Sequence, residues 1–158
     1  MVADVLSATA TREVPASRAV VWRALAVLEP YCAVCDVSYV VGTDRIRPGT
    51  SFVCVPGRLD GGEPPAGAPR GEILAWEPRR LVATRLELTT ETWATRIELA
   101  DSDGGGTRVT MTITLEQPPG NRVIRRIQRS AAQRLVAQTV EGELDKVPEH
   151  LAQAAAAG

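Results

Sequence analysis

Histidine, lysine and phenylalanine each occur once in this 158-residue chain, as His150, Lys146 and Phe52. A lone histidine near the end of the chain is expected at the surface and leaves no candidate for a histidine-centred triad or a metal-hydrolase site. Lys146 lies among charged neighbours, which argues against a Schiff-base role. The three cysteines cannot all pair, so a reducing, cytoplasmic setting is the simpler expectation. Cys32-Ala-Val-Cys35 has the spacing of a zinc or redox pair, but the chain offers only Cys54 and His150 besides. Structural zinc takes four ligands, so these cysteines are expected as small buried hydrophobes, with no metal and no cofactor. No run of 18 apolar residues exists, which excludes a membrane-spanning helix. The first ten residues lack the basic start and apolar centre of a secretory signal. The net charge of −1 provides no global field for nucleic acid or anionic lipid.

Alternation and punctuation are abundant. Residues 7–14 alternate weakly up to Pro15, as an edge strand does, and Ser17 is placed to cap a helix. Val21, Trp22, Leu25 and Leu28 share one face of that helix, which Pro30 stops, and a second short helix or turn is expected over residues 31–35. Strands dominate residues 36–116. Val37, Tyr39 and Val41 alternate, a turn at Gly42 and Pro48-Gly49 follows, and residues 51–55 form the next strand. In residues 56–70 eight of 15 positions are Gly or Pro, a loop too long for a hairpin turn and too polar for core. It is read either as a gate beside a cavity mouth or as a plain connector.

The three strands at 80–88, 91–100 and 107–116 specify their own register. A turn at Thr89-Thr90 sets Leu86 opposite Trp93 and Thr84 opposite Thr95. Pairing Ala100 with Arg108 sets Ile97 beside Met111 and Thr95 beside Ile113. One register thus collects the apolar residues on one surface, as in a meander with one wet face. Pro118-Pro119-Gly120 ends the sheet and Asn121 is placed to cap a helix running from 122 to about 153. Ile124, Ile127, Ala131 and Leu135 form one stripe of it; Val136, Val140, Leu144, Val147 and Leu151 form a second. A break is expected near Pro148 and fraying after Gln153. Only this helix is large enough to cover the sheet.

Taken in order, Val14-Pro15-Ala16 before Val20-Val21-Trp22, Pro48-Gly49-Thr50, Gly71-Glu72-Ile73 leading to Glu77-Pro78-Arg79-Arg80-Leu81, Trp93, Gly106-Thr107-Arg108-Val109, and the last helix with Leu144 and Lys146 resemble the START-like, or polyketide cyclase/dehydrase, superfamily. The resemblance covers almost the whole chain and implies a single α+β domain of the helix-grip fold. In it a seven-stranded antiparallel curved sheet, with two short helices after the first strand, wraps a long C-terminal helix and leaves a cavity between. It does not fix the function, because the superfamily spans carriers, sensors, cyclases and oxygenase domains. No motif here is a catalytic signature.

For the interior, Tyr39, Thr84, Thr95, Gln138 and Thr139 are the polar groups that could orient a ligand or else satisfy one another or water. Phe52, Leu86, Trp93, Met111, Ile113 and Leu135 could wall a pocket or simply form core. Trp22 is read as helix-to-sheet packing. Arg122, Arg125, Arg126 and Arg129 crowd the positive end of the last helix, which calls for acidic partners from the sheet edge. No aromatic residues interleave with them, so nucleic acid is not the expected partner. The leading expectation is binding or transport of a small hydrophobic molecule (a polyketide, lipid or aromatic compound). A polyketide aromatase/cyclase or dehydratase and a ligand-free interaction module are the alternatives, and turnover and a homodimer are left open.

Overall fold

The computed structural model describes residues 4–118 and 122–157. Seven antiparallel strands form one sheet in the order β1-β7-β6-β5-β4-β3-β2. They are β1 (Asp4–Val14), β2 (Val37–Val41), β3 (Ser51–Pro56), β4 (Arg70–Glu77), β5 (Leu81–Glu87), β6 (Thr92–Asp101) and β7 (Thr107–Gln117). Helix α1 (Arg18–Leu25) follows β1, and α2 (Arg122–Asp145) and α3 (Val147–Ala157) end the chain. This is the helix-grip architecture.

The meander follows the alternation of its sequence. Leu86 faces Trp93, Thr84 faces Thr95, Thr95 faces Ile113, Ile97 faces Met111 and Ala100 faces Arg108, as the spacing predicts. The first strand is an edge strand, paired with β7 from Asp4↔Gln117 to Val14↔Thr107. Its outer face carries hydroxyl pairs, Thr9 with Thr112 at 2.8 Å and Thr11 with Thr110 at 3.2 Å, while Leu6 is buried on the inner face. A bulge between Ile73 and Ala75 shifts the register of β4, so Ile73 and Trp76 both meet inner-face partners, Thr84 and Val82.

Ser17 caps α1 by accepting from the amide of Val20, and Trp22 packs edge-on against Trp76 with ring centroids 4.9 Å apart. Of the second short helix or turn expected over residues 31–35 the turn forms, over residues 33–36 and closed by a bridge between Cys32 and Val37, so one short helix rather than two follows β1. The break between α2 and α3 falls at Lys146, two residues before Pro148, whose ring cannot continue the preceding helical hydrogen bonds. The alanine-rich end, expected to fray, is helical to Ala157, in keeping with alanine's high helix propensity. The expected cap at Asn121 and the end of the sheet at Pro119-Gly120 lie outside the described residues, as do the side chains of Arg122, Ile124 and Arg125.

The core runs along one stripe of α2. Ala132, Val136, Val140 and Leu144 are buried at a spacing of four, continue into Val147, and pack with Leu6, Val109, Met111, Ile113 and Leu115. The apolar pattern predicts that the neighbouring stripe is gripped as well, and it is not: Ile127 is 74% exposed and Leu135 is 49% exposed. The reason is where the helix sits. Helix α2 rests mainly on β1 and β7, anchored by ion pairs of Arg129 with Asp4 and of Arg12 with Glu141 and Asp145. The Arg129 pair is the kind of sheet-edge compensation that the arginine cluster calls for.

Candidate functional site

Because α2 covers one side of the inner face, the other side is left with less side-chain cover. Two inner-face rows make this plain. One runs Leu6, Leu115, Trp93, Leu86, Gly71, Phe52, Val41; the next runs Ala8, Ile113, Thr95, Thr84, Ile73. Leu115, Ile113 and Met111, under the helix, are buried to 0%, 3% and 5% exposure. Trp93, Leu86, Thr84 and Thr95, one or two strands farther on, point the same way and are only half-buried. At the far end of the rows Phe52 and Ile73 are buried again. The partly open stretch lies between two closed ones and is the candidate hollow of the inner face.

Its polar groups are few. The hydroxyls of Thr84, Thr95 and Tyr39 have no hydrogen-bond partner among the described residues, and none of them is sealed from solvent. Tyr39 stands on β2 opposite Cys54, with its ring edge-on to Phe52 at 6.0 Å. Burial pushes its phenol well above the usual range, with the thiols of Cys54, Cys35 and Cys32 and the carboxylate of Glu143 adding to the effect. It stays a neutral donor at any physiological pH. Trp93 donates its indole N–H to Glu91 at 2.8 Å, which fixes the ring at the β5–β6 end of the hollow.

The predicted residues divide as follows. Tyr39, Phe52, Thr84, Leu86, Trp93 and Thr95 share the inner face, in or beside the partly open stretch. Met111 and Ile113 share the face but are core beneath α2. On the helix, Leu135, Thr139, Glu143, Lys146 and His150 recur at intervals of four, four, three and four and so form one flank. Thr139 is half-buried there, but its hydroxyl donates to the carbonyl of Leu135 at 2.7 Å and has no proton to spare for a ligand. Leu135 is half-exposed at the upper end of this flank rather than walled in. Gln138, expected near the interior, is exposed, because its position on the helical wheel turns it away from both the core stripe and this flank.

Sequence reasoning missed the lower end of the flank. His150, expected at the surface, is half-buried and lies 3.8 Å through Nε2 from Sγ of Cys35. Glu143 joins them, so that one ligand atom from each of the three falls within 4.8 Å of the others. Lys146 pairs with Glu143 at 3.3 Å. Gln153 accepts from the amides of Ala33 and Val34, at 2.9 and 3.2 Å, and pins the Cys32–Cys35 turn to α3. No local signal marks this cluster, since 115 residues separate Cys35 from His150.

The loop between β3 and β4 is tied down at both ends, by the amide of Gly57 donating to the carbonyl of Asp36 and by the carbonyl of Pro69 accepting from the amide of Cys54. Ser38, 1% exposed, donates to the carbonyl of Gly57 and accepts from the amide of Leu59. The Arg58 guanidinium lies 4.0 Å from the centre of the Tyr31 ring.

No protein-family model and no curated protein sequence matches the chain. Solved structures do match it over nearly full length. A protein of unknown function, SA2116 from Staphylococcus aureus, superposes with a TM-score of 0.72 at 11% identity, covering 97% of each chain. TTHA0849 from Thermus thermophilus gives 0.66 at 22% identity, over 94% of this chain and 98% of the other. Ara h 8.0201 gives 0.59 at 14% identity, over 96% and 94%. At these identities the likeness is one of fold: the chain is a single-sheet helix-grip protein with these structures as its architectural counterparts.

Proposed function

We propose that this protein binds a small, largely apolar molecule in the hollow between the inner face of β3–β6 and the flank of α2. One observation carries the reading. The inner-face row from Leu115 to Phe52 is closed at both ends and half-open in the middle, at Trp93 and Leu86. An apolar surface left open inside a fold costs free energy that an apolar ligand regains. The three free hydroxyls of Tyr39, Thr84 and Thr95 would orient such a ligand through one or two polar atoms. The ligand class, a polyketide, lipid or aromatic compound, comes from the superfamily resemblance alone.

A cyclase or dehydratase reading rests on a narrower observation. The half-buried, neutral Tyr39 phenol has its proton free and could polarise a carbonyl held over β5 and β6. A ligand-free interaction module would need a hollow filled by side chains, which the half-open middle of the row argues against.

The test is saturable binding of a hydrophobic fluorophore, followed by Thr84→Phe, which fills the hollow. One-to-one binding weakened by about tenfold or more in the variant is the expected result. Absence of saturable binding, or equal binding by the filled variant, overturns the reading. Native mass spectrometry of protein from its own host then identifies the natural ligand.

A further inference from the structure

The corner where the Cys32–Cys35 turn meets α3 holds chemistry that hydrophobic binding does not use. Cys35, Glu143 and His150 present a thiol, a carboxylate and an imidazole with mutual ligand-atom separations within 4.8 Å. Around a tetrahedral zinc ion, bond lengths of about 2.3 Å to sulfur and about 2.0 Å to nitrogen place those two atoms roughly 3.6 Å apart. The separation of Cys35 Sγ from His150 Nε2 is 3.8 Å. The pair is already at metal-bridging distance.

The arrangement does not fit a cysteine nucleophile. A catalytic base is itself oriented by a third group, and among the described residues no hydrogen bond joins Glu143 to His150. Burial first, and the neighbouring Cys32 and Glu143 next, push the Cys35 thiol up to about 12, so it is not a thiolate at neutral pH.

The scaffold around the gap is fixed independently of any ion. Gln153 clamps the turn through two backbone amides. Glu143 and His150 stand on opposite sides of the helix break, and the amide of His150 bonds back to the carbonyl of Lys146 at 3.0 Å. The ammonium of Lys146 lies 3.3 Å from Glu143 and is the cation already at the site.

We propose that Cys35, Glu143 and His150 bind one divalent transition-metal ion of the zinc class, which displaces Lys146 from Glu143. Thiolate and imidazole select such ions over magnesium and calcium, which take oxygen ligands. Three protein ligands leave a fourth position for water or a polar group. Binding expels the thiol proton, so affinity rises with pH. The scaffold hydrogen bonds form without the ion, so chelation leaves the protein folded. This site and the hydrophobic hollow stand or fall separately, because metal binding is read with no organic ligand present.

The experiment is titration of the reduced, full-length protein with cobalt(II) as a spectroscopic substitute. One equivalent should produce the near-ultraviolet absorption of a cobalt–thiolate bond, and zinc should abolish it. Cys35→Ser should eliminate the band, Cys54→Ser should leave it, and His150→Ala and Glu143→Gln should each weaken affinity by at least about tenfold. Lys146→Met should tighten it several-fold. Should Cys35→Ser fail to fold, alkylation of the wild-type protein with mass-spectrometric readout serves instead, and zinc should protect Cys35 selectively. No thiolate band at equimolar cobalt, a band that persists in Cys35→Ser, or alkylation of Cys35 indifferent to zinc overturns the proposal.

Discussion

The ring of Phe52 on β3 lies where a side chain at Gly71 on β4 would be: a Cβ added to Gly71 would sit 2.1 Å from the tip of that ring. The two residues are direct register partners, so the glycine lets an aromatic ring cross over to the neighbouring strand. That ring closes the far end of the hollow and meets Tyr39 edge-on. Gly71→Ala should therefore destabilise the protein by about 1–3 kcal/mol through overpacking. Phe52→Leu in the same chain should recover part of that loss. Denaturant unfolding of the two single variants and the double variant checks this, and additive effects would show that the two side chains do not compete for the same space.

Trp93→Ala should cost less than the roughly 3–5 kcal/mol of a fully packed aromatic, because one side of the ring borders the hollow. Its indole bond to Glu91 is also lost. A cost at or above the upper figure would mean that the ring is solid core. No change at all would mean that the residue points outward.

Ser38 joins β2 to the start of the long loop through two hydrogen bonds. Ser38→Ala leaves the Gly57 carbonyl and the Leu59 amide without their partner and should cost about 1–3 kcal/mol. Hydrogen exchange should then accelerate at Leu59 before it does in β5–β7. Replacing the loop beyond Leu59 with a short turn should raise the entry and exit rates of a hydrophobic probe if the loop is a gate. Unchanged rates would make it a connector.

His150 should make the metal-free protein sensitive to mild acid. Its pKa is lowered, chiefly by burial, and the neighbours act in both directions: Glu143 and Glu149 raise it and Lys146 lowers it. A depressed histidine binds fewer protons folded than unfolded. Its stabilising contribution is thus complete above the unfolded value near 6.5 and is lost as pH falls through the folded value. Chemical denaturation in chelator should show stability falling over that window, by at most about 1.4 kcal/mol per pH unit from this group. His150→Gln should flatten the slope, and an unaltered slope would assign it to other groups.

Much of this fold was legible where sequence signals are local. Strict alternation and short turns fixed the β5–β6–β7 pairing, because a one-residue slip would bury Arg96 and expose Ile97. Ser17 and Pro148 likewise act on their own segments. The bulge in β4 was not legible, since Ile73-Leu74-Ala75 looks like any buried run. Nor was the sidedness of α2. Ile127 and Leu135 have the same hydrophobicity as Val136 and Val140, and only the placement of the helix over β1 and β7 exposes the first pair. The Cys35–Glu143–His150 cluster was invisible for a different reason, being a product of tertiary closure with no spacing of its own.

The pairing of β1 with β7 also imposes an order of events. Ser7 meets Thr114, which lies 107 residues later in the chain. At a synthesis rate of about 5–20 residues per second, β1 emerges roughly 5–20 s before its partner strand. The meander from β2 to β7 is built from neighbouring segments and can form as it is made. The first strand cannot: Leu6, Ala8 and Ala10 have no face to bury against until β7 and the helix resting on it are complete. The residues of β1 are thus among the last to settle, and in that interval they are in need of shelter from other strands.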